Sequence, residues 1–209
     1  MSKVLDLLKK TEAVLTDDHF VGTQGRHFAT YINKDALYPH TAETSEVCKL
    51  FAEAVKDLDI DVVAGPALGG IILSTWTASH LSALKGKEIL GVYTEKSPEG
   101  GMMFTRGYDK LVAGKKVLVV EDLTTTGGSA KKVVEAVKAA GGEPVGVCVM
   151  VNKNPKEVTS EYFGVPFFPM DTLEVQTYEE SECPLCKSGV PINQKIGHGK
   201  KYLQAKGLI

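Results

Sequence analysis

The sequence lacks the features of a membrane protein, of a disulfide scaffold and of a nucleic-acid-binding protein. No apolar run reaches the roughly 18 residues of a membrane-spanning helix, and residues 1–10 contain no signal-peptide core. Four cysteines among 209 residues are too few for a disulfide scaffold, so we expect reduced thiols and a cytoplasmic protein. The formal net charge of -2 indicates no general attraction to nucleic acid or lipid. An anionic ligand would therefore need a local binding site.

What the sequence does contain is an alternation of predicted strands and helices. Apolar runs typical of buried strands occupy residues 61–64, 88–94, 116–120 and 145–151. Helical periodicity covers about the first fifteen residues, residues 47–58 with Thr41 or Thr44 as N-cap, residues 71–84 and the segment after Ser129. This alternation predicts an α/β fold, a central parallel sheet flanked by helices. With 43% hydrophobic residues, residues 1–209 fit a single domain.

Residues 95–114 form a long stretch without usable periodicity. The stretch contains four glycines, Gly100, Gly101, Gly107 and Gly114. We expect a long mobile loop, and a loop of this length inside a compact domain is usually functional.

A loop rich in glycine and hydroxyl groups follows the predicted strand 116–120. It reads Glu121-Asp122-Leu123-Thr124-Thr125-Thr126-Gly127-Gly128-Ser129 and leads into a predicted helix. Amides and hydroxyls at a helix N-terminus suit a phosphate monoester, and ligands collect at the carboxyl ends of parallel strands. The two carboxylates would repel a phosphate but suit the vicinal hydroxyls of a ribose. The loop therefore predicts a sugar-phosphate site, although an ordinary turn is a competing interpretation.

Residues 117–129, VLVVEDLTTTGGS, resemble the phosphoribosyl pyrophosphate (PRPP) motif of type I phosphoribosyltransferases. Further stretches are similar to the orotate phosphoribosyltransferase branch of that family, in particular to short bacterial forms with a Cys-Pro-Leu-Cys tail. These stretches are residues 19–27 and Lys34 beside the base, residues 65–70 at the pyrophosphate, residues 100–108 in the catalytic loop and residues 183–191 in the tail. The resemblance implies the type I phosphoribosyltransferase fold, with a small N-terminal hood and a mobile catalytic loop.

The resemblance also implies an organisation and a reaction. Residues 1–40 would be the N-terminal helix and base-binding hood, residues 41–170 the PRPP-binding core and residues 171–209 the C-terminal tail. Orotate and PRPP would be converted to orotidine 5′-monophosphate and pyrophosphate, in pyrimidine biosynthesis. The enzyme would be a homodimer that shares the catalytic loop across its interface. Mg²⁺ would be the cofactor, bound mainly by PRPP and not by a metal site of the protein.

Individual residues receive roles from the same resemblance. Glu121 and Asp122 are expected to hold the ribose hydroxyls, and the catalytic residues are expected to be Arg106, Lys96 and Asp122. The expected phosphate ligands are Thr124, Thr125, Thr126, Gly127, Gly128 and Ser129. Backbone donors to the pyrophosphate are expected from Ala67, Leu68, Gly69 and Gly70, and base contacts from Arg26, Lys34 and Lys153.

Two departures from the family pattern keep alternatives open. Many members have several lysines and a histidine in the catalytic loop, whereas this chain has Lys96 and Arg106 with no histidine between them. The usual Asp-Arg is replaced by Asn152-Lys153, and a lysine loses the bidentate fork of an arginine. A purine or uracil is therefore an alternative base. A regulator that binds nucleotide or RNA without catalysis is the other alternative, but the net charge does not indicate the basic face it would need.

The cysteines give one more pattern, the Cys183-x-x-Cys186 pair. Zinc normally takes four protein ligands in a structural site, and the residues left to complete a set are Cys48, Cys148 or a histidine such as His198. No metal-ligand spacing is found among His27, His40, His80 and His198. The sequence therefore favours a packed tail over a metal site.

Overall fold

The computed structural model describes residues 3–22 and 24–209, so predictions for Met1, Ser2 and Thr23 lie outside the described residues. The helices are α1 (Lys3–Lys10), α2 (Thr41–Ala54), α3 (Gly69–Lys85), α4 (Tyr108–Val112), α5 (Gly128–Ala139), α6 (Ser160–Phe163), α7 (Pro184–Lys187) and α8 (Gly199–Ala205). The strands are β1 (Val14–Leu15), β2 (Phe20–Val21), β3 (His27–Phe28), β4 (Tyr31–Ile32), β5 (Val62–Pro66), β6 (Leu90–Lys96), β7 (Met102–Phe104), β8 (Lys116–Thr124), β9 (Glu143–Asn152) and β10 (Phe167–Thr172). Within the described residues, no helix has the length and apolar character needed to cross a membrane.

Six strands form the central sheet in the order β10-β9-β8-β5-β6-β7. The first five are parallel to their neighbours, and β7 runs antiparallel to β6. Side chains of β8 alternate between two cores, because successive residues of a strand point to opposite faces. Leu118 and Val120 pack with α2 and α3, whereas Val117 and Val119 pack with α5. The predicted α/β fold with a central, mostly parallel sheet and flanking helices is confirmed.

The N-terminal segment and the C-terminal tail contact each other beside this sheet. β1 pairs with β4 and β2 pairs with β3, both antiparallel. His27 and Tyr178 exchange two backbone hydrogen bonds of 2.9 Å. Farther along the tail, the amides of Asn193 and His198 donate to the carbonyls of His19 and Val21 at 2.8 and 3.0 Å. Residues distant in sequence thus form one unit.

Residues 95–114, predicted to form a long mobile loop, contain regular secondary structure in this conformation, and their mobility stays a prediction. β7 returns antiparallel to β6, with Lys96 opposite Met102 and Thr94 opposite Phe104, and α4 follows. Phe104 explains the hairpin, because its buried side chain packs in the α5 core.

Several boundaries also differ from the predictions. α1 ends at Lys10, short of the expected fifteen residues, and the N-cap of α2 is His40 in place of Thr41 or Thr44. Thr44 instead donates its hydroxyl hydrogen to the carbonyl of Leu37 at 3.1 Å. β8 extends to Thr124, because the acidic pair continues the ladder with β9.

Candidate active site

The loop between β8 and α5 forms the first pocket of the site. Glu121 and Asp122 are 6% and 4% exposed at its beginning, and α5 starts at its end. The loop lines a cavity of about 220 Å³ with residues 124–130, Glu121 and Leu123. Thr124 Oγ1 is buried and has no hydrogen-bond partner among the described residues. A buried hydroxyl without a partner and the amides of a helix N-terminus together suit a phosphate group.

Asp122 of the acidic pair is held in place by two side chains from the N-terminal segment. Asp122 Oδ2 accepts hydrogen bonds from Lys34 Nζ at 2.7 Å and from the Tyr38 hydroxyl at 2.9 Å. Burial raises the pKa of Tyr38 far above its usual value, and Asp122 raises it further. Burial alone would lower the pKa of Lys34, but Asp122 outweighs it and the pKa is raised. Lys34 therefore stays charged beside the carboxylate.

Glu121 differs from its neighbour because no cation contacts its carboxylate among the described residues. Burial, and next the charge of Asp122, raise the pKa of Glu121 to about 8. Glu121 Oε1 accepts the Asp122 backbone amide at 3.0 Å. The two adjacent carboxyl groups thus have different environments, and near neutral pH one proton is readily held on Glu121.

A second pocket of about 230 Å³ lies on the other side of the acidic pair. Its lining comes from the turn between β5 and α3, the ends of β6 and β8, and Lys34; it consists of Lys34, Pro66, Ala67, Leu68, Gly69, Lys96, Met102, Glu121, Asp122, Leu123 and Ser129. The Ala67–Leu68 peptide bond in this turn is cis. The expectation that Ala67 presents its amide to the pyrophosphate is wrong in this conformation, because that amide donates to Thr94 O at 2.8 Å. Leu68, Gly69 and Gly70, where α3 begins, remain candidates.

A larger cavity of about 640 Å³ lies beside the phosphate loop. Its walls come from the N-terminal segment, the loop and the tail: Gly22, Gln24, Arg26, Phe28, Tyr31, Thr125, Thr126, Lys153, Val175, Thr177 and His198. The rings of Phe28 and Tyr31 are nearly parallel, with an interplanar angle of 8° and centroids 6.3 Å apart. A cavity with aromatic walls and a few polar groups suits a planar small molecule.

Lys153 lines this cavity and has no carboxylate partner among the residues that the structure describes. No carboxylate lies within 4.0 Å of its Nζ in residues 3–22 and 24–209, and burial lowers its pKa. Arg26, in contrast, forms an ion pair with Glu179 and donates from Nη2 to Thr177 O at 3.0 Å. Lys153 is half-buried, and its Nζ lies 6.0 Å from the centroid of the Phe28 ring. A half-buried cation without a carboxylate partner favours an anionic ligand.

The structure therefore brings most of the predicted residues together and separates a few. Lys34, predicted to contact the base with Arg26 and Lys153, lies in the second pocket and does not line the large cavity. Lys96 lines the second pocket, whereas Arg106 is 60% exposed and pairs with Glu95 at 3.5 Å. The roles of these residues stay predictions.

Sequence reasoning missed Tyr38 and the two aromatic walls of the large cavity. Tyr38 lies four residues after Lys34, and one turn places both beside Asp122. Phe28 and Tyr31 belong to two-residue strands, which are too short for a periodic signal. The spacing of four residues between Lys34 and Tyr38 was the one sequence signal that could have indicated Tyr38.

The three pockets adjoin one another around the carboxyl end of β8. The first shares Glu121, Leu123 and Ser129 with the second, and Thr125 and Thr126 with the large cavity. This order places a phosphate loop and an acidic pair between a pocket with two lysines and an aromatic cavity with a cation. The arrangement suits a protein that binds a sugar phosphate next to a planar, anionic small molecule.

Comparisons with known proteins identify the family. Residues 33–174 match the phosphoribosyl transferase domain. The chain is 40% identical over 199 residues to the orotate phosphoribosyltransferase of Caldicellulosiruptor bescii, covering 94% of this chain and 97% of the relative. It is 37% identical over 190 residues to that of Caldanaerobacter subterraneus subsp. tengcongensis, covering 91% of this chain and 94% of the relative.

A solved structure agrees with these relatives. The orotate phosphoribosyltransferase of Mycobacterium tuberculosis superimposes with a TM-score of 0.65 at 25% identity, covering 82% of this chain and 97% of that chain. The chain belongs to the phosphoribosyltransferase family, in the branch of the orotate phosphoribosyltransferases.

Proposed function

We propose that the protein is an orotate phosphoribosyltransferase, which converts orotate and PRPP to orotidine 5′-monophosphate and pyrophosphate. The observation that carries this proposal is the succession of three adjoining pockets at the end of β8. The first pocket would hold the 5-phosphate of the ribose, the second pocket the pyrophosphate and the large cavity the base. The curated relatives, which bear this activity in their names, support the same reaction.

Base selection rests on the large cavity. Orotate is a planar pyrimidine with a carboxylate, so it needs flat apolar walls and a cation. Phe28 and Tyr31 supply the walls, and Lys153 supplies a cation without a carboxylate partner among the described residues. Uracil and the purines lack this carboxylate, and they would leave the half-buried charge of Lys153 without a carboxylate partner. This difference favours orotate over the alternative bases.

Catalysis would depend on positioning and on charge stabilisation. In the transition state, the ribose gains oxocarbenium character while its bond to pyrophosphate breaks. The carboxyl groups of Glu121 and Asp122 would accept hydrogen bonds from the ribose hydroxyls, with Lys34 and Tyr38 keeping Asp122 in place. Lys96 would stabilise the negative charge of the departing pyrophosphate. No nucleophile from the protein is required.

The donor set of the second pocket fits Mg²⁺ bound together with PRPP. Mg²⁺ prefers oxygen ligands and usually combines one or two carboxylates with phosphate oxygens. The pocket offers carboxylate oxygens of Glu121 and Asp122, but Asp122 Oδ2 already accepts two hydrogen bonds. Most ligands would therefore come from PRPP, with Glu121 as a protein candidate. Bound Mg²⁺ would neutralise charge on the pyrophosphate.

Arg106 would join the site when the hairpin β6–β7 closes. Its ion pair with Glu95 is exposed, and exposed ion pairs are weak because water screens the two charges, so the rearrangement costs little. We further propose a cytoplasmic homodimer in which this hairpin reaches the neighbouring site. Lys96 lines the pocket of its own chain in this conformation, and a test must therefore separate contributions within a chain from contributions across the dimer.

Subunit mixing makes that separation. Random mixing of the Asp122→Ala protein with the Lys96→Ala/Arg106→Ala protein produces mixed dimers in about half of the cases. If the hairpin acts across the interface, one site of each mixed dimer carries neither change, and about a quarter of the wild-type activity returns. If the hairpin acts within its own chain, every site is defective and no activity returns.

The reaction itself is tested by measuring pyrophosphate release from PRPP with orotate, uracil, hypoxanthine and adenine. We expect Mg²⁺-dependent release with orotate, and its near-complete loss in Asp122→Ala. Activity with another base and none with orotate would reject the base assignment. Equal rates for Asp122→Ala and the wild type would remove Asp122 from the site, and salt-sensitive RNA binding without turnover would favour a regulator.

A further inference from the structure

Two histidines and two cysteines converge outside the active site. His19 immediately precedes β2 and His27 is the first residue of β3, whereas Cys183 is the N-cap of α7 and Cys186 lies within this short helix of the tail. His19, His27 and Cys183 are at most 1% exposed, and Cys186 is half-buried. The four potential ligand atoms lie within 4.8 Å of one another. The expected partners of the cysteine pair, Cys48, Cys148 or His198, are not the residues that the fold supplies.

The distances in this cluster are close to those of a tetrahedral zinc site. Zinc–nitrogen and zinc–sulfur bonds of about 2.0 and 2.3 Å give ligand separations of about 3.3 Å between nitrogens and about 3.5–3.8 Å for pairs with sulfur. His27 Nδ1 lies 3.4 Å from Cys186 Sγ, and His19 Nε2 lies 3.8 Å from each sulfur. The two nitrogens are 2.7 Å apart. Moving the two nitrogens about 0.6 Å farther apart would give the spacing of a tetrahedral zinc site.

The protein also orients one ligand for a metal. His19 Nδ1 lies 2.8 Å from the carbonyl oxygen of Val190. A carbonyl only accepts, so Nδ1 carries the proton and donates, and the lone pair of Nε2 faces the cluster. Metal-binding histidines are usually oriented by such a hydrogen bond from the other ring nitrogen. The hydrogen bond from His19 to Val190 therefore leaves His19 Nε2 in the protonation state and orientation of a metal ligand.

Hydrogen bonding within the protein accounts for only part of the cluster. His19 Nε2 can accept a hydrogen bond from His27 Nδ1 at 2.7 Å, but the contacts between these nitrogens and the two sulfurs, at 3.4–3.8 Å, are long and weak. Polar groups at this burial would be expected to have stronger partners than the two thiols have. A cation at the centre would be such a partner for both sulfurs, because each of the four ligand atoms has a lone pair to donate.

We propose that His19, His27, Cys183 and Cys186 bind one structural zinc ion. Two thiolates and two imidazoles match the preference of zinc for mixed sulfur and nitrogen ligands. All four positions are filled by protein, so the site is closed to substrate and the ion has no part in the reaction. On binding, the two thiols release their protons to solvent and their sulfurs form the two bonds to zinc.

The ion would fasten the tail to the N-terminal segment beside the large cavity. Arg26 and Phe28 flank His27 and line that cavity, and Thr177 and His198 line it from the tail. Zinc would therefore stabilise the wall from which the base is contacted. The proposal concerns folding of this unit and stands independently of the enzymatic reaction.

Metal analysis of the purified protein tests the proposal. Protein prepared without chelators and without a metal-affinity tag is expected to contain one equivalent of zinc, measured by inductively coupled plasma mass spectrometry. The Cys183→Ser/Cys186→Ser protein is expected to lose it, whereas Cys48→Ala, which removes a buried thiol elsewhere, is expected to keep it. Equal zinc in all three proteins would refute the site.

Two measurements on the wild type keep the test decisive if the double variant does not fold. Substitution with Co²⁺ is expected to give the visible absorption of a tetrahedral site and thiolate-to-metal charge transfer in the near ultraviolet. A chelator is expected to lower the midpoint of thermal unfolding, and added Zn²⁺ to restore it. Wild-type protein that takes up no stoichiometric zinc from equimolar Zn²⁺, or that contains a Cys183–Cys186 disulfide, would overturn the proposal.

Discussion

Replacing Gly127 by alanine tests the shape of the phosphate loop. Gly127 immediately precedes α5 and has a φ of +73°, a conformation that L side chains rarely adopt. An added Cβ would also lie 2.5 Å from Cε1 of Tyr162. That ring packs edge-to-face on Phe163, with centroids 5.1 Å apart, and lies under Lys131 Nζ. The loop, not the ring, is therefore expected to move.

The magnitude follows from two separate costs. A left-handed conformation costs an alanine roughly 1–2 kcal/mol, and a side chain forced into a packed site typically costs about 1–3 kcal/mol. We expect Gly127→Ala to lower the free energy of unfolding by roughly 2–5 kcal/mol. Gly141→Ala separates the two contributions, because Gly141 has a φ of +76° but no atom within 4 Å of the added Cβ. Gly141→Ala should therefore lose only the cost of the left-handed conformation, roughly 1–2 kcal/mol of the free energy of unfolding.

Urea unfolding and steady-state kinetics measure both consequences. Displacement of the loop should raise the KM for PRPP in Gly127→Ala, whereas Gly141→Ala, at the distant end of α5, should keep the wild-type KM. If both variants lose the same free energy and keep the wild-type KM for PRPP, the contact with Tyr162 does not shape the phosphate loop, and our reasoning about it is refuted.

Three further predictions concern charged residues. Because the pKa of Glu121 is raised in the folded protein, its protonation stabilises the fold fully below the ordinary pKa of 4.5, and this stabilisation is lost as the pH rises through about 8. Relative to Glu121→Gln, the free energy of unfolding of the wild type should fall by roughly 3–5 kcal/mol over that range. Parallel plots of unfolding free energy against pH for the two proteins would contradict this. Lys153→Met should raise the KM for orotate about 10- to 100-fold, the value of a charge-assisted hydrogen bond, with little change in the KM for PRPP; a similar rise in both would indicate general damage. Lys96→Ala and Arg106→Ala should each lower kcat at least about tenfold without changing the midpoint of thermal unfolding, since both side chains are exposed. The control Lys110→Ala, which also removes an exposed charge, should keep the wild-type kcat. An equal kcat in all three variants would exclude the hairpin from catalysis.

The elements predictable from the sequence are those whose burial leaves a periodic signal. β8 could be predicted because its continuous apolar run faces a core on each side of the sheet. α5 could be predicted because its apolar residues recur at helical spacing on the one face that contacts the sheet. The acidic pair and the phosphate loop could be predicted because they are contiguous and directly follow such a strand. The hairpin of β6 and β7 could not, since β7 is three residues long and depends on the packing of Phe104.

Contacts between distant segments were beyond the reach of sequence patterns. The pairing of Tyr38 with Asp122 spans 84 residues, and that of His19 with Cys183 spans 164. Nothing local marks either pair, because each depends on how the N-terminal segment and the tail fold over the sheet. For the same reason, the sequence suggested Cys48, Cys148 or His198 as partners of Cys183 and Cys186, whereas the fold places His19 and His27 beside them.

The central claim is that three adjoining pockets at the end of β8 hold one nucleotide and the departing pyrophosphate. A crystal structure with orotidine 5′-monophosphate tests it most directly. We predict the 5′-phosphate in the loop of residues 124–129, the ribose hydroxyls at Glu121 and Asp122, and the base carboxylate within hydrogen-bonding distance of Lys153 Nζ. Electron density for the nucleotide anywhere else on the protein would contradict the account.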